Sequence, residues 1–124
     1  EATIKNIGKS YLEMGNQLER ISILRSVIRD SPKFPEIGTL YYEQGISRVC
    51  TDVAEYLKKF KQDKIIKNVN LKLAALVYIG SLLSYNILFK TIKGIEKEFS
   101  EEEMLKLATE IFLNGLKRHN VPEK

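Results

Sequence analysis

Between Lys72 and Lys90 the chain runs for seventeen residues, Leu73 to Phe89, without a single charge. No other feature restricts the fold as much, because so long an apolar segment must be shielded from water over most of its surface. A bilayer span needs about 20 predominantly apolar residues to cross roughly 30 Å. This run is shorter, is closed by a lysine at each end, and carries Tyr78, Gly80, Ser81, Ser84, Tyr85 and Asn86. We read it as the central helix of a soluble bundle, with no membrane involved. Either it is enclosed by its own subunit, or one side lies in the subunit core and the other in a subunit interface. A chain this small has few helices with which to wrap it, which favours the interface. Gly80 and Ser84, one turn apart, leave room for a neighbouring helix to come close, a pattern best attested in membranes.

The flanking sequence supplies the rest of the bundle. Ile4, Ile7, Tyr11, Leu12 and Met14 are spaced as one helix face, and Gly15 fits the C′ position after it. Asn16 with Glu19 three residues on predicts a capping box for a second helix carrying Leu18, Ile21, Leu24, Val27 and Ile28, which stops before Ser31-Pro32. Phe34-Pro35 opens a short third helix, expected to end near Gly45. Ile46, Val49, Cys50, Val53, Tyr56, Leu57 and Phe60 then form one continuous stripe. The last helix starts at Ser100, with Glu103 completing a capping box and Phe99 placed to staple to Met104. Three prolines and seven glycines in 124 residues leave little room for a turn-rich β fold. The predicted fold is all-α: one domain over 1–124, an antiparallel bundle of five to six helices whose last two form a four-helix dimer interface.

Chemistry is scarce. One cysteine excludes an internal disulfide framework and a cysteine-based zinc site, and one histidine excludes histidine-rich metal sites and leaves no base for a nucleophile. We expect no catalytic residues, no metal and no cofactor. The net charge of +4 is too mild for a nucleic-acid-gripping stripe. Lys58, Lys59, Lys61, Lys64, Lys67 and Lys72 read as a solvated surface. Glu101, Glu102 and Glu103 suit the positive end of a helix dipole rather than a metal. Arg25 and Arg29, one turn apart, read as a solvated face, although they could meet an acidic ligand. Cys50, on an apolar stripe, reads as an inert small hydrophobe, and His119 as idle. No signal peptide is visible. The chain opens Glu-Ala-Thr-Ile-Lys, without an initiator methionine and inside a helical pattern, so we expect it to be part of a longer protein.

The segment Ser31-Pro32-Lys33-Phe34-Pro35-Glu36-Ile37, followed by Leu40-Tyr41-Tyr42-Glu43-Gln44-Gly45, resembles the middle of the regulatory domain of TetR-family transcriptional regulators. The stripe from Ile46 to Phe60 is similar to that domain's next long helix, and Leu73-Ala74-Ala75 through Gly80 to its penultimate helix. Ser100-Glu101-Glu102-Glu103 through Phe112-Leu113-Asn114-Gly115-Leu116 resembles its closing helix. The resemblance spans nearly the whole chain in order. The family's amino-terminal helix-turn-helix is the one departure, and residues 1–14 resemble the helix that follows it. What this implies is a cytoplasmic homodimer that binds a small apolar or aromatic effector. DNA would be reached only through the absent amino-terminal domain, and the full-length protein would be a repressor.

The expected dimer residues are Leu76, Gly80, Leu83, Ser84 and Ile87 on the long helix, with Met104, Ala108, Ile111, Phe112 and Gly115 on the last. An effector pocket is expected between the second, fourth and fifth helices, because pockets are mostly apolar with a few placed polar groups. Its expected lining is Leu24, Ile28, Cys50, Val53, Tyr56, Leu57, Tyr78, Leu82, Tyr85 and Asn86. Taken singly, each tyrosine also reads as a core residue with its hydroxyl satisfied at the rim. The competing function is a helical protein–protein interaction or scaffold domain, whose grooves would take a partner helix.

Overall fold

The uncharged run lies inside one continuous helical stretch, Leu71 to Thr91, in a computed structural model that describes residues 1–118. His119 is outside the described residues. Around this stretch the chain forms α1 (Ala2–Met14), α2 (Leu18–Asp30), α3 (Pro35–Tyr41), α4 (Ser47–Gln62), α5 (Leu71–Asn86) and α6 (Glu101–Leu116). Two π-helical turns complete it. Tyr42–Ile46 joins α3 to α4, and Ile87–Thr91 prolongs α5. Among the described residues the extended pairing is a single isolated bridge, Ile66 with Lys117. The all-α expectation is borne out.

By length and composition the 21 residues Leu71–Thr91 would cross a bilayer, but α5 is the hub of a core instead. It packs against α1, α4 and α6. Ala75, Tyr78, Ile79, Leu82 and Tyr85 are fully buried there. They meet Ile4 and Leu12 of α1, Cys50, Val53 and Leu57 of α4, and Leu105, Phe112 and Leu116 of α6. The serines of the run are satisfied locally: Ser81 Oγ donates to the Tyr78 carbonyl and Ser84 Oγ to that of Ser81. Tyr78 stacks on Phe112 with ring centroids 4.8 Å apart, and its hydroxyl bonds Thr109 Oγ1 at 2.7 Å.

The helix ends show which local signals act. The Ser100–Glu103 box forms in both directions, whereas Phe99 sits edge-on to Phe89, centroids 5.6 Å apart. Asn16 does not cap α2. That helix starts one residue later, with Gln17 at the N-cap and no side-chain cap bond; Gln17 Oε1 instead accepts from Arg20 Nε. Nor does the chain break at Gly45, where the π turn carries α3 into α4 and the Ser47 amide donates to the Tyr42 carbonyl. A π turn holds an extra residue relative to α-helix, so the α3 stripe and the α4 stripe face different neighbours without a loop between them. The second π turn does the same for α5, bringing Thr91 inside while Phe89 stays partly exposed.

The bundle is tied together by long side chains that reach carbonyls at the ends of helices. At the end of α1, Asn86 Nδ2 reaches the Tyr11 carbonyl and Lys90 Nζ the Leu12 carbonyl. Lys90, its side chain only 6% exposed, also pairs with Glu101 at the start of α6 and lies over the Tyr85 ring. α2 is anchored by Arg25, which donates through Nε and one terminal nitrogen to the Thr91 carbonyl at 2.9 and 2.7 Å. Arg25, though exposed, therefore also serves as a structural tie, while Arg29 pairs with the adjacent Asp30 on the surface.

Candidate functional site

α2 contributes only Leu24 to the buried set and touches mainly α3 and the second π turn. Because it stands off the core, a cavity of about 640 Å³ opens beneath it. The floor is the end of α1 (Tyr11, Met14, Gly15) with Leu83 and Asn86 of α5. The walls are Ile21, Leu24 and Val27 of α2, Ile37, Leu40 and Tyr41 of α3, and Gly45, Ile46 and Val49 around the first π turn. Arg20, Gln44 and Arg48 lie exposed at its mouth. The volume falls in the range of small-molecule sites, and the pattern of an apolar wall with few polar groups fits one.

Asn86 is the polar centre of the floor. It is 6% exposed, its Nδ2 is directed to the Tyr11 carbonyl, and its Oδ1 has no hydrogen-bond partner. A buried acceptor left unmade costs about 1–3 kcal/mol, and a ligand donor in the cavity would recover that. Tyr11 and Tyr41 add two phenols. Burial pushes the Tyr11 hydroxyl far above its ordinary range, helped by Tyr41 and Cys50. Burial also raises Tyr41, with Arg20 pulling the other way. Both are therefore neutral at physiological pH and can donate or accept.

Of the lining expected from sequence, Leu24 and Asn86 lie on the cavity. Ile28 points outward, 54% exposed. Cys50, Val53, Leu57, Tyr78, Leu82 and Tyr85 are packed in the core, and Tyr56 rests half-buried against it with Phe60. The reason is physical: a stripe records that a face leaves water, and close-packed helices satisfy that as well as a void does. The Tyr85 hydroxyl is likewise buried without a partner, but away from this cavity. Burial raises the Cys50 thiol, with Lys72 opposing, so it stays protonated and a poor nucleophile. Sequence reasoning missed Tyr11, Met14, Arg20, Tyr41, Gln44 and Arg48. The available signal was the Leu40-Tyr41-Tyr42 segment, whose apolar residues join neither neighbouring stripe. The expected dimer residues divide in the same way. Leu76, Gly80, Ser84, Ile111 and Gly115 lie on the outer side of α5 and α6, where Leu73, Val77, Leu88 and Leu107 are also exposed. A Cβ at Gly80 or Gly115 would meet nothing within 4 Å. Phe112 is taken up by Tyr78, and Met104, Ala108 and Ile87 are partly covered within the subunit. Leu83 faces the cavity.

Among the described residues no three His, Cys, Asp or Glu side chains gather as metal ligands. The arrangement can exclude water, hold an apolar body and offer it oriented polar groups. Residues 2–114 match the family described as AefR-like transcriptional repressor, C-terminal domain. No curated protein matches the chain, and no solved structure does.

Proposed function

The chain belongs to the TetR-type family of AefR-like transcriptional repressor C-terminal domains, and on that premise we propose that it is an effector-binding and dimerisation domain. The effector is a small apolar or aromatic molecule held in the cavity beneath α2, and the partner is a second copy of the chain. The domain performs no catalysis, works in the cytoplasm, and sets the DNA affinity of a repressor through an amino-terminal head.

The observation that carries this reading is the position of the cavity between two functional elements. Its floor holds the end of α1 and the end of α5. α1 is the helix that would adjoin the DNA-binding head. α5 and α6 present the exposed apolar face of Leu73, Leu76, Val77, Leu107 and Ile111. An apolar patch on paired helices is the ordinary signature of an isologous four-helix contact. A ligand that satisfies Asn86 Oδ1 or displaces Met14 acts where Asn86 and Lys90 hold the carbonyls of α1. It can then favour one setting of α1 over another. Coupling requires only that the ligand bind the two settings unequally, and a tenfold difference corresponds to about 1.4 kcal/mol.

Two measurements test the reading together. Sedimentation of the chain at micromolar concentration is expected to give a dimer, and the double variant Val77→Glu/Ile111→Glu a folded monomer. A neutral solvatochromic dye such as Nile red is expected to bind the wild-type chain, and to be excluded by Gly45→Leu, whose new side chain enters open space on the cavity wall. A wild-type monomer would remove the dimer. Equal dye binding by Gly45→Leu would remove the cavity as the ligand site.

A further inference from the structure

We infer that the cavity selects an amphipathic carboxylate, its apolar body lodged between α2 and α5 and its anionic group held at the mouth by Arg20 and Arg48. This deepens the effector reading and rests on it.

Three observations point to the charge and the orientation. First, Arg20 and Arg48 come from different helices, α2 and α4, yet converge on the same cavity, whose lining contains no aspartate or glutamate. The charged residues of the lining are therefore all positive. Second, both guanidinium groups are available. Arg20 gives only Nε, to Gln17 Oε1. Among the described residues neither arginine pairs with a carboxylate; the ion pairs there are made by Lys9, Arg29 and Lys90. Guanidinium groups match carboxylate geometry and remain charged throughout the working pH range. Third, the far end of the cavity holds no cation to receive an anion. Its polar groups are the neutral Tyr11 phenol and Asn86, whose buried and unpartnered Oδ1 repels a carboxylate and welcomes a donor. The intervening wall of Ile21, Leu24, Val27, Ile37, Leu40 and Val49 is apolar. A cation has no counter-charge anywhere in this lining, and a neutral ligand leaves both arginines unused.

The test uses the chain with three probes of equal length: decanoate, decanol and decylamine. Their binding is measured by calorimetry on the wild type and on Arg20→Gln/Arg48→Gln, a pair of exposed residues whose loss leaves the core intact. Decanoate is expected to bind the wild type about tenfold or more tightly than either other probe. In the double variant that advantage disappears while decanol affinity is unchanged. If decanol or decylamine binds as well as decanoate, or if the decanoate preference survives in the variant, the charge selection is wrong and the cavity remains an effector site of another class. If none of the three binds while the chain is folded, the cavity reading itself falls and takes this inference with it.

Discussion

The Asn86 carboxamide occupies the space that a side chain at Gly15 would need. A Cβ built there would lie 2.6 Å from both Cγ and Nδ2 of Asn86. Gly15 follows α1 in an ordinary right-handed conformation, φ −68° and ψ −8°, so glycine is required by this close approach and not by the backbone. Gly15→Ala is expected to push Asn86 off the Tyr11 carbonyl and destabilise the fold by about 1–3 kcal/mol. Gly45→Ala is the control. It is helical and meets nothing within 4 Å, and should stabilise by about 0.5–1 kcal/mol. Urea unfolding of the two variants gives opposite signs if the contact, rather than the loss of glycine, decides.

Tyr78 and Thr109 form a polar pair inside the core, with exposures of 1% and 2% and hydroxyls 2.7 Å apart. Tyr78→Phe strands the Thr109 hydroxyl and is expected to cost about 1–3 kcal/mol. Thr109→Val alone leaves the phenol only its longer, 3.4 Å bond to the Ile4 carbonyl and is expected to cost about 1 kcal/mol. The double variant should cost clearly less than the sum of the two, because no orphaned group is left. Additive losses in the unfolding cycle would mean the pair contributes nothing specific.

α4 ends in a Schellman motif with the wrong residue at its key position. Ile65 N–H donates to the Phe60 carbonyl and Lys64 N–H to that of Lys61, with Lys64 at φ 59°. That left-handed C′ position favours glycine. Lys64→Gly is expected to stabilise by about 1 kcal/mol, read as a raised melting temperature. No change would mean that glycine's extra freedom in the unfolded chain offsets the relieved strain.

Glu103 is held below its ordinary value of 4.5, chiefly by the Ser100 amide it accepts from, and then by the Ser100 side chain. Its folded pKa is thus below its unfolded one. The folded state binds fewer protons, so the contribution is fully present above about 4.5 and is lost as pH falls through the lower folded value. Melting temperatures between pH 7 and pH 3 should fall less steeply for Glu103→Gln than for the wild type. Ser100→Ala should cost about 1 kcal/mol at neutral pH.

Much of this fold was written in neighbouring residues. Pro35 at the first turn of α3, the Ser100–Glu103 box, and the stripe from Ile46 to Phe60 all formed as their spacing predicts. Each depends on groups within a turn or two along the chain, so sequence alone carries them. The failures were equally local in kind: the cap moved from Asn16 to Gln17, and the break expected at Gly45 became a π turn. There, packing outweighed propensities worth only about a kilocalorie.

The division of α5 was a different matter. Its composition is apolar on every side, so its sequence says that it must be covered and nothing about by what. Tyr78 went to the core, Leu83 and Asn86 to the cavity, and Val77 to the outside. Tyr11, Arg20, Tyr41 and Arg48 come from four separate elements and meet at one cavity only because Arg25 and Asn86 fix α2 and α1 against the end of the α5 stretch. Helical character, caps and total apolar surface follow from the chain read in order. Which apolar face meets a neighbour, and which is left facing a void, depends on how all the helices share one volume, and only the tertiary structure decides that.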